Sequence, residues 1–164
     1  MVVKIANAQT VLIKIVDVMD LKNAFVSQMT HLVVAASKKM NSKDWDPNLT
    51  PEQNYVLRQE GTESPGSSPL NNEKREGSYH CIGCGTKLFD SSSKYESGSG
   101  WPSFFKSIPG VFEEKTDMNI GYPRTEYHCK KCGGHHGHIF DDGPKPTGKR
   151  YCNNGVCLVF KPKS

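Results

Sequence analysis

No run of the 164-residue sequence approaches the roughly 20 consecutive apolar residues needed to span a bilayer, so no membrane-crossing helix is expected. The N-terminus also lacks the form of a secretory signal. Such a signal needs an uninterrupted apolar stretch, and Lys4, Lys14, Asp17, Asp20 and Lys22 cut this one. Charge of a single sign is missing too: 21 Lys and Arg are interleaved with 17 Asp and Glu, and the net charge of +4 is not gathered into a stripe. Neither a nucleic-acid surface nor a membrane surface is therefore expected. Apolar residues are scarce, at 35%, beside 15 Gly and 10 Pro. That balance disfavours a helix-rich protein and favours short strands joined by turns, with a thin core that a metal would supplement. The length suits one domain.

Residues 1–40 hold no Cys, Gly, Pro, Trp or Arg and are rich in Val, Ile, Ala and Met. They read as an extension, with boundaries at 1–45 for the extension and 46–164 for the domain. Val11 to Val26 fits helical and strand templates alike. Without Arg and with two Asp the segment makes a poor mitochondrial presequence. The cytoplasm is the expected compartment, with the mitochondrion as the alternative if residues 1–40 act as a leader.

Six cysteines stand against these absences. Three disulfides would suit a secreted chain; without a secretory signal, a reducing compartment and metal-bound or reactive thiols are expected. Four fall into two matched pairs, His80-Cys81-Ile82-Gly83-Cys84-Gly85 and His128-Cys129-Lys130-Lys131-Cys132-Gly133. A two-residue gap lets both sulfurs of a pair reach one ion, and the glycine lets the backbone turn beneath them. Cys81, Cys84, Cys129 and Cys132 are thus expected to hold one Zn²⁺ per chain in a structural role, because four thiolates leave no open position for water. A redox-active pair is the competing reading, and two matched copies speak against it.

Thr50-Pro51-Glu52 offers an N-cap, a proline at the first helical position and an acidic first turn, predicting a helix over about 51–60. The polar, turn-forming stretch from Gly61 to Gly77 reads as an irregular wrap. Strands are predicted at 78–80, 86–89, 111–115, 124–128, 136–140, 150–152 and 157–161, each gap punctuated by Gly, Pro or Asp, which favours an antiparallel β core.

Three further segments carry chemistry. His135-His136-Gly137-His138 leads into Asp141-Asp142-Gly143-Pro144. Imidazoles move protons near neutral pH, and Gly137 permits a turn that brings His135 and His138 to one site; a second metal site or plain surface histidines is the alternative. If Arg150 to Asn154 is extended, the period of two sets Arg150, Cys152 and Asn154 on one face. A guanidinium beside a thiol favours the nucleophilic thiolate, and the amide would orient a partner. Finally, Ser97-Gly98-Ser99-Gly100 presents Trp101, whose indole face suits a methyl or polarised sulfur group, while Phe104 is expected in the core.

Ser97 to Phe104, His135 to Pro144 and Arg150-Tyr151-Cys152-Asn153-Asn154, with Leu49-Thr50-Pro51-Glu52-Gln53 and Gly61-Thr62-Glu63, resemble methionine sulfoxide reductase B in its zinc-bearing form. The resemblance covers residues 48–163. It implies a mainly β fold of two antiparallel sheets in a twisted tent- or barrel-like core with short N-terminal helices. It also implies reduction of methionine R-sulfoxide, chiefly within oxidised proteins, by a monomer. Cys152 would be the nucleophile and become a sulfenic acid. His138, helped by His135, would protonate the departing oxygen. Arg150 and Asp142 would tune the thiolate, Asn154 would orient the site, and Trp101 would wall the substrate's methyl group.

Two positions depart from the pattern. Many relatives carry a resolving cysteine where this chain has Ser99, so either Cys157 resolves the sulfenic acid or thioredoxin or a small thiol reduces it directly; direct reduction is preferred. His136 stands where the family commonly has Leu. A zinc-ribbon module binding protein or nucleic acid is the rival from another class, and it leaves Arg150, Cys152 and the histidines without a task. A zinc hydrolase or deaminase would need an open metal and a Glu base that no His-x-Glu motif supplies.

Overall fold

Thr50 starts the first regular element because its side chain and that of Gln53 satisfy each other's backbone amides. The Thr50 hydroxyl accepts from Gln53 N at 3.2 Å and the Gln53 side-chain oxygen accepts from Thr50 N at 2.9 Å, a capping box with Pro51 just inside it. The computed structural model of the chain describes residues 48–164, and the expected extension over 1–45 lies outside them. Helix α1 (Pro51–Gln59) ends at Glu60, whose φ of 58° is left-handed, and buries Val56 and Leu57. It is the one α-helix among the described residues. Where short helices in the plural were expected, the polar wrap adds only a 3₁₀ turn at Pro69–Asn72.

Nine strands follow: β1 (Gly77–Cys81), β2 (Lys87–Asp90), β3 (Lys94–Tyr95), β4 (Ser103–Phe104), β5 (Phe112–Asp117), β6 (Arg124–Cys129), β7 (His135–Phe140), β8 (Arg150–Asn153) and β9 (Leu158–Pro162). They form two antiparallel sheets, β2-β1-β9 and β3-β4-β8-β7-β6-β5, and neither closes into a barrel among the described residues. All seven strands expected from the sequence are present. The two missed, β3 and β4, are two residues long and too short to show a period.

Aromatic side chains fill the space between the sheets. Phe89 stacks on Phe104 with ring centroids 4.0 Å apart, and Tyr79 meets the edge of Phe104 at 4.9 Å. Phe112, Tyr127 and Tyr151 extend the cluster within the larger sheet. Phe104 is fully buried, as its sequence context suggested, and removing such a ring costs about 3–5 kcal/mol. The Tyr127 hydroxyl would be a liability there, but it donates to Asn153 Oδ1 at 2.8 Å.

One irregularity sets the site. In a regular strand His135 and His138 would face opposite sides. Opposite β6, however, His128 pairs with His135 and Tyr127 with Gly137, so His136 is an extra, unpaired residue and β7 carries a bulge. His135 and His138 therefore share one face, their rings 5.6 Å apart, while His136 turns into the core beside Tyr127 and Phe112. Gly137 is required at this bulge, since a Cβ there would lie 2.0 Å from the carbonyl oxygen of Cys152.

Candidate active site and metal centre

The four paired cysteines meet at one point. Cys81 closes β1 and Cys129 closes β6, so one pair comes from each sheet. In each knuckle the chain folds back on a left-handed glycine: Gly85 N donates to Cys81 O at 2.8 Å and Gly133 N to Cys129 O at 2.7 Å. The histidine before each pair reinforces the turn, with His80 Nδ1 3.0 Å from Gly85 O and His128 Nδ1 3.1 Å from Gly133 O. Across the cluster Cys81 Sγ lies 3.7 Å from Cys132 Sγ, and Cys84 Sγ lies 3.6 Å from Cys129 Sγ. Four bonds of about 2.3 Å from a tetrahedral zinc would separate its sulfurs by roughly 3.8 Å, so the sulfurs are positioned to hold such an ion. Hydrogen bonds from Cys129, Cys132 and Cys81 hold the Cys84 thiol well below its ordinary value.

The second centre is a row running across five strands. Lys115 (β5) pairs with Glu126 (β6), Glu126 with His138 (β7), His138 with Cys152 (β8), and Cys152 with Ser103 (β4). Directly paired residues share a face with Cβ atoms about 4.5–5.5 Å apart, so His138 stands beside the Cys152 thiol. Both line a small cavity of about 120 Å³ with Trp101, Phe140, Arg124 and Asn154. A larger hollow of about 650 Å³ lies along β1, β2 and β9, but it is open, lined by Lys74, Glu76, Lys87 and Asp90, and carries no cysteine or histidine.

Each lining group is held by its own partners. Trp101 donates from Nε1 to Glu63 O at 3.2 Å. Asn154, beyond the end of β8, accepts from Glu63 N at 3.0 Å and donates to His136 O at 3.0 Å. Both ends of its amide are committed to backbone, so it fixes where the chain leaves Cys152. Glu63 completes that clamp, its buried carboxylate accepting from Gly155 N at 2.6 Å and Val156 N at 2.8 Å. Asp142 takes Arg150 in a two-pronged pair, both bonds 2.8 Å, while the guanidinium lies 4.3 Å above the Phe140 ring.

Protonation follows from burial. Desolvation pushes the Cys152 thiol above its ordinary value, although the Arg150 charge and a contact with the Ser99 hydroxyl at 4.0 Å pull it down. Arg150 thus favours the thiolate as expected, but burial opposes it with the larger effect. Desolvation likewise lowers His138, partly offset by Asp117, whose Oδ2 lies 2.9 Å from His138 Nε2. His135 is pushed down to about 3, first by burial and then by the neighbouring His128 and His138. It does not line the cavity; it lies on the same face beyond His138, in contact with Glu126 Oε1 at 2.5 Å.

Cys157 is far less available. It sits in a 3₁₀ turn (Gly155–Cys157) and is fully buried, and desolvation holds its thiol well above the ordinary value. Between Cys152 and Cys157 the chain leaves β8 after Asn153 and enters this turn.

Several groups were missed from sequence: Asp117, Arg124, Glu126 and the clamping role of Glu63. Asp117 and Arg124 face each other as the last pair of the β5–β6 hairpin, bonded at 2.5 Å. A conspicuous Asp and Arg bracketing an apolar turn was the available signal.

Comparison with known proteins follows the same outline. A family model described as the SelR domain matches residues 49–162. The peptide methionine sulfoxide reductase MsrB of Leptospira interrogans is 50% identical, over 74% of this chain and 93% of that protein. The MsrB of Agrobacterium fabrum is 48% identical over 77% of this chain and 96% of its own. The mitochondrial methionine-R-sulfoxide reductase B2 of Rattus norvegicus is 45% identical over 81% of each. A two-sheet fold with a four-cysteine centre and a cysteine–histidine pocket defines the class: the chain belongs to the SelR family of methionine sulfoxide reductases B.

Proposed function

We propose that this protein reduces methionine R-sulfoxide in oxidised proteins to methionine, as a peptide-methionine (R)-S-oxide reductase serving protein repair. The observation that carries the reading is the pairing of His138 with Cys152 in a small cavity walled by Trp101. A half-buried thiol beside a neutral imidazole holds one transferable proton, which is the number the reaction needs. Cys152 sulfur attacks and takes the sulfoxide oxygen, the substrate's S–O bond breaks, and the thiol proton, relayed by His138, ends on that oxygen. The substrate sulfur gains two electrons and Cys152 becomes a sulfenic acid. Asp117 orients His138 through Nε2, and Arg150, held by Asp142, offers its charge as the thiol loses its proton. His135 supports His138 from the far side. Trp101 and Phe140 give the methyl group an apolar wall.

The exposed Met118, Ile120 and Tyr122 on the turn between Asp117 and Arg124 support a polypeptide substrate, since they offer apolar contact beside the cavity. For recycling, Ser99, with its hydroxyl 4.0 Å from the Cys152 thiol, cannot form a disulfide, and Cys157 is enclosed. An external thiol, from thioredoxin or a small molecule, therefore displaces water from the sulfenic acid, and a second thiol then releases Cys152 as the disulfide leaves. One Zn²⁺ bound by Cys81, Cys84, Cys129 and Cys132 would join the two sheets and take no part in the reaction.

The test is turnover of each sulfoxide epimer with dithiothreitol. Reduction of the R epimer only, abolished in Cys152→Ser, is expected; equal use of both epimers, or an active Cys152→Ser, would reject the proposal.

A further inference from the structure

On one face of β6 and β7, Glu126 from the row of Cys152 and the next pair along, His128 and His135, converge. All three are buried, and their ligand-type atoms lie within 4.8 Å of one another. His128 Nε2 is 3.0 Å and His135 Nδ1 is 2.5 Å from the same carboxylate oxygen, Glu126 Oε1. Neither contact has the alignment of a hydrogen bond, and both nitrogens are otherwise without a partner. His128 makes the point sharper. Its Nδ1 faces the carbonyl of Gly133 at 3.1 Å, where only an N–H can be accommodated. In the neutral ring that fixes the tautomer, and Nε2 then presents a lone pair to a carboxylate. A lone pair aimed at an anionic oxygen is repelled unless a cation lies between the two atoms. A backbone carbonyl that fixes the tautomer of an imidazole is also the usual outer support of a metal-binding histidine.

The surroundings suit a cation of higher charge than a proton. Lys115 sits 3.4 Å from the other carboxylate oxygen, Oε2, and also contacts Glu60, leaving Oε1 to the two imidazoles. A hollow of about 300 Å³ lined by Glu60, Glu113, Glu114, Lys115 and His128 leads in from solvent, an acidic entry for a metal ion. Two imidazoles and one carboxylate are a ligand set for borderline first-row divalent ions, with positions left for water.

We propose that Glu126, His128 and His135 form a second metal site, distinct from the four-cysteine centre, that takes one divalent first-row ion such as Zn²⁺ through Glu126 Oε1, His128 Nε2 and His135 Nδ1. The site shares His135 with the reductase machinery. Resting on the proposed role of His135 behind His138, metal binding would slow turnover by tying that ring to the ion.

The experiment uses the full chain already loaded with one zinc, titrated with Co²⁺ as the probe. One further ion per chain is expected, giving the weak visible bands of nitrogen and oxygen ligation without the intense thiolate charge-transfer band. In His128→Leu, checked by circular dichroism and retention of the first zinc, binding should weaken by more than the ~10–100-fold that loss of an outer supporting group costs. Glu126→Gln should do the same. Absence of a second ion, a thiolate band, or binding undiminished in His128→Leu would each overturn the site. Turnover measured in the same titration separates the two ideas: binding without slowing leaves the site standing and removes the role given to His135.

Discussion

In the four-cysteine centre the sulfurs of each pair lie three residues apart, and a glycine turn brings them together. Cys152 owes its surroundings to strands and loops scattered from Glu63 to Asn154. The first arrangement is local and repeated; the second is assembled by strand register across the larger sheet. Four thiols crowded on one point suit a metal, whereas one thiol beside an imidazole and a guanidinium suits a reaction. The neighbours, and not the cysteine, decide which.

Loss of the first centre should therefore be a loss of fold, and loss of the second a loss of rate. Structural zinc is worth about 10–16 kcal/mol of apparent binding energy, comparable with the whole stability of a domain at about 5–15 kcal/mol. Cys129→Ser, or chelation of the wild-type protein, should unfold the chain in circular dichroism at ambient temperature; a folded, metal-free chain would break the distinction. Cys152→Ser should do the reverse, lowering turnover on the order of 10³-fold or more while keeping the unfolding midpoint within about 1 kcal/mol and the metal in place.

Asp117→Asn sharpens the pocket side of the comparison. It keeps the shape but replaces the carboxylate at His138 Nε2, and kcat should fall by about 10–100-fold with KM nearly unchanged. A change confined to KM would assign Asp117 to substrate binding instead.

The smallest effect concerns His136, the residue the bulge turns inward. It lies beside Asn153, which accepts from Tyr127 and donates to Asn154 O, and neither of its nitrogens makes a hydrogen bond of good geometry. Burial, with His135 nearby, pushes it down to about 3. The unfolded chain binds this proton near pH 6.5 and the folded one only near pH 3. Stability from the neutral ring is thus complete above about pH 6.5 and declines as pH falls from there toward 3. His136→Leu should stabilise the protein by about 1–3 kcal/mol at neutral pH. It should also shrink the stability difference between pH 7 and pH 5 by about 2 kcal/mol, read by urea unfolding. An unchanged pH dependence would mean that the ring takes up its proton as readily in the folded chain as in the unfolded one.

What could be read from the sequence divides along the same line. The knuckles, the capped helix and seven of nine strands were legible because spacing, caps and turn residues act within a few positions. The shared face of His135 and His138 was legible only as a permission granted by Gly137; the bulge that realises it depends on pairing with β6. Glu126 was not legible as a site residue, since its place is set by cross-strand register with β7, and the Asp and Arg bracketing the turn gave no hint that Asp117 reaches His138. Glu63 lies 38 residues from Trp101 and 91, 92 and 93 from Asn154, Gly155 and Val156, the groups it bonds, beyond any local pattern.

The smaller sheet is made of β2, β1 and β9, the first two strands of the described residues and the last. On a ribosome, where the chain emerges from its N-terminal end, β1 would wait for its second partner until Leu158–Pro162 had been made. Cys81 and Cys84 would likewise leave the exit tunnel well before Cys129 and Cys132. Synthesis thus has an interval in which half a metal centre and an unpaired strand edge are exposed together, and its length is set by how fast the larger sheet is translated.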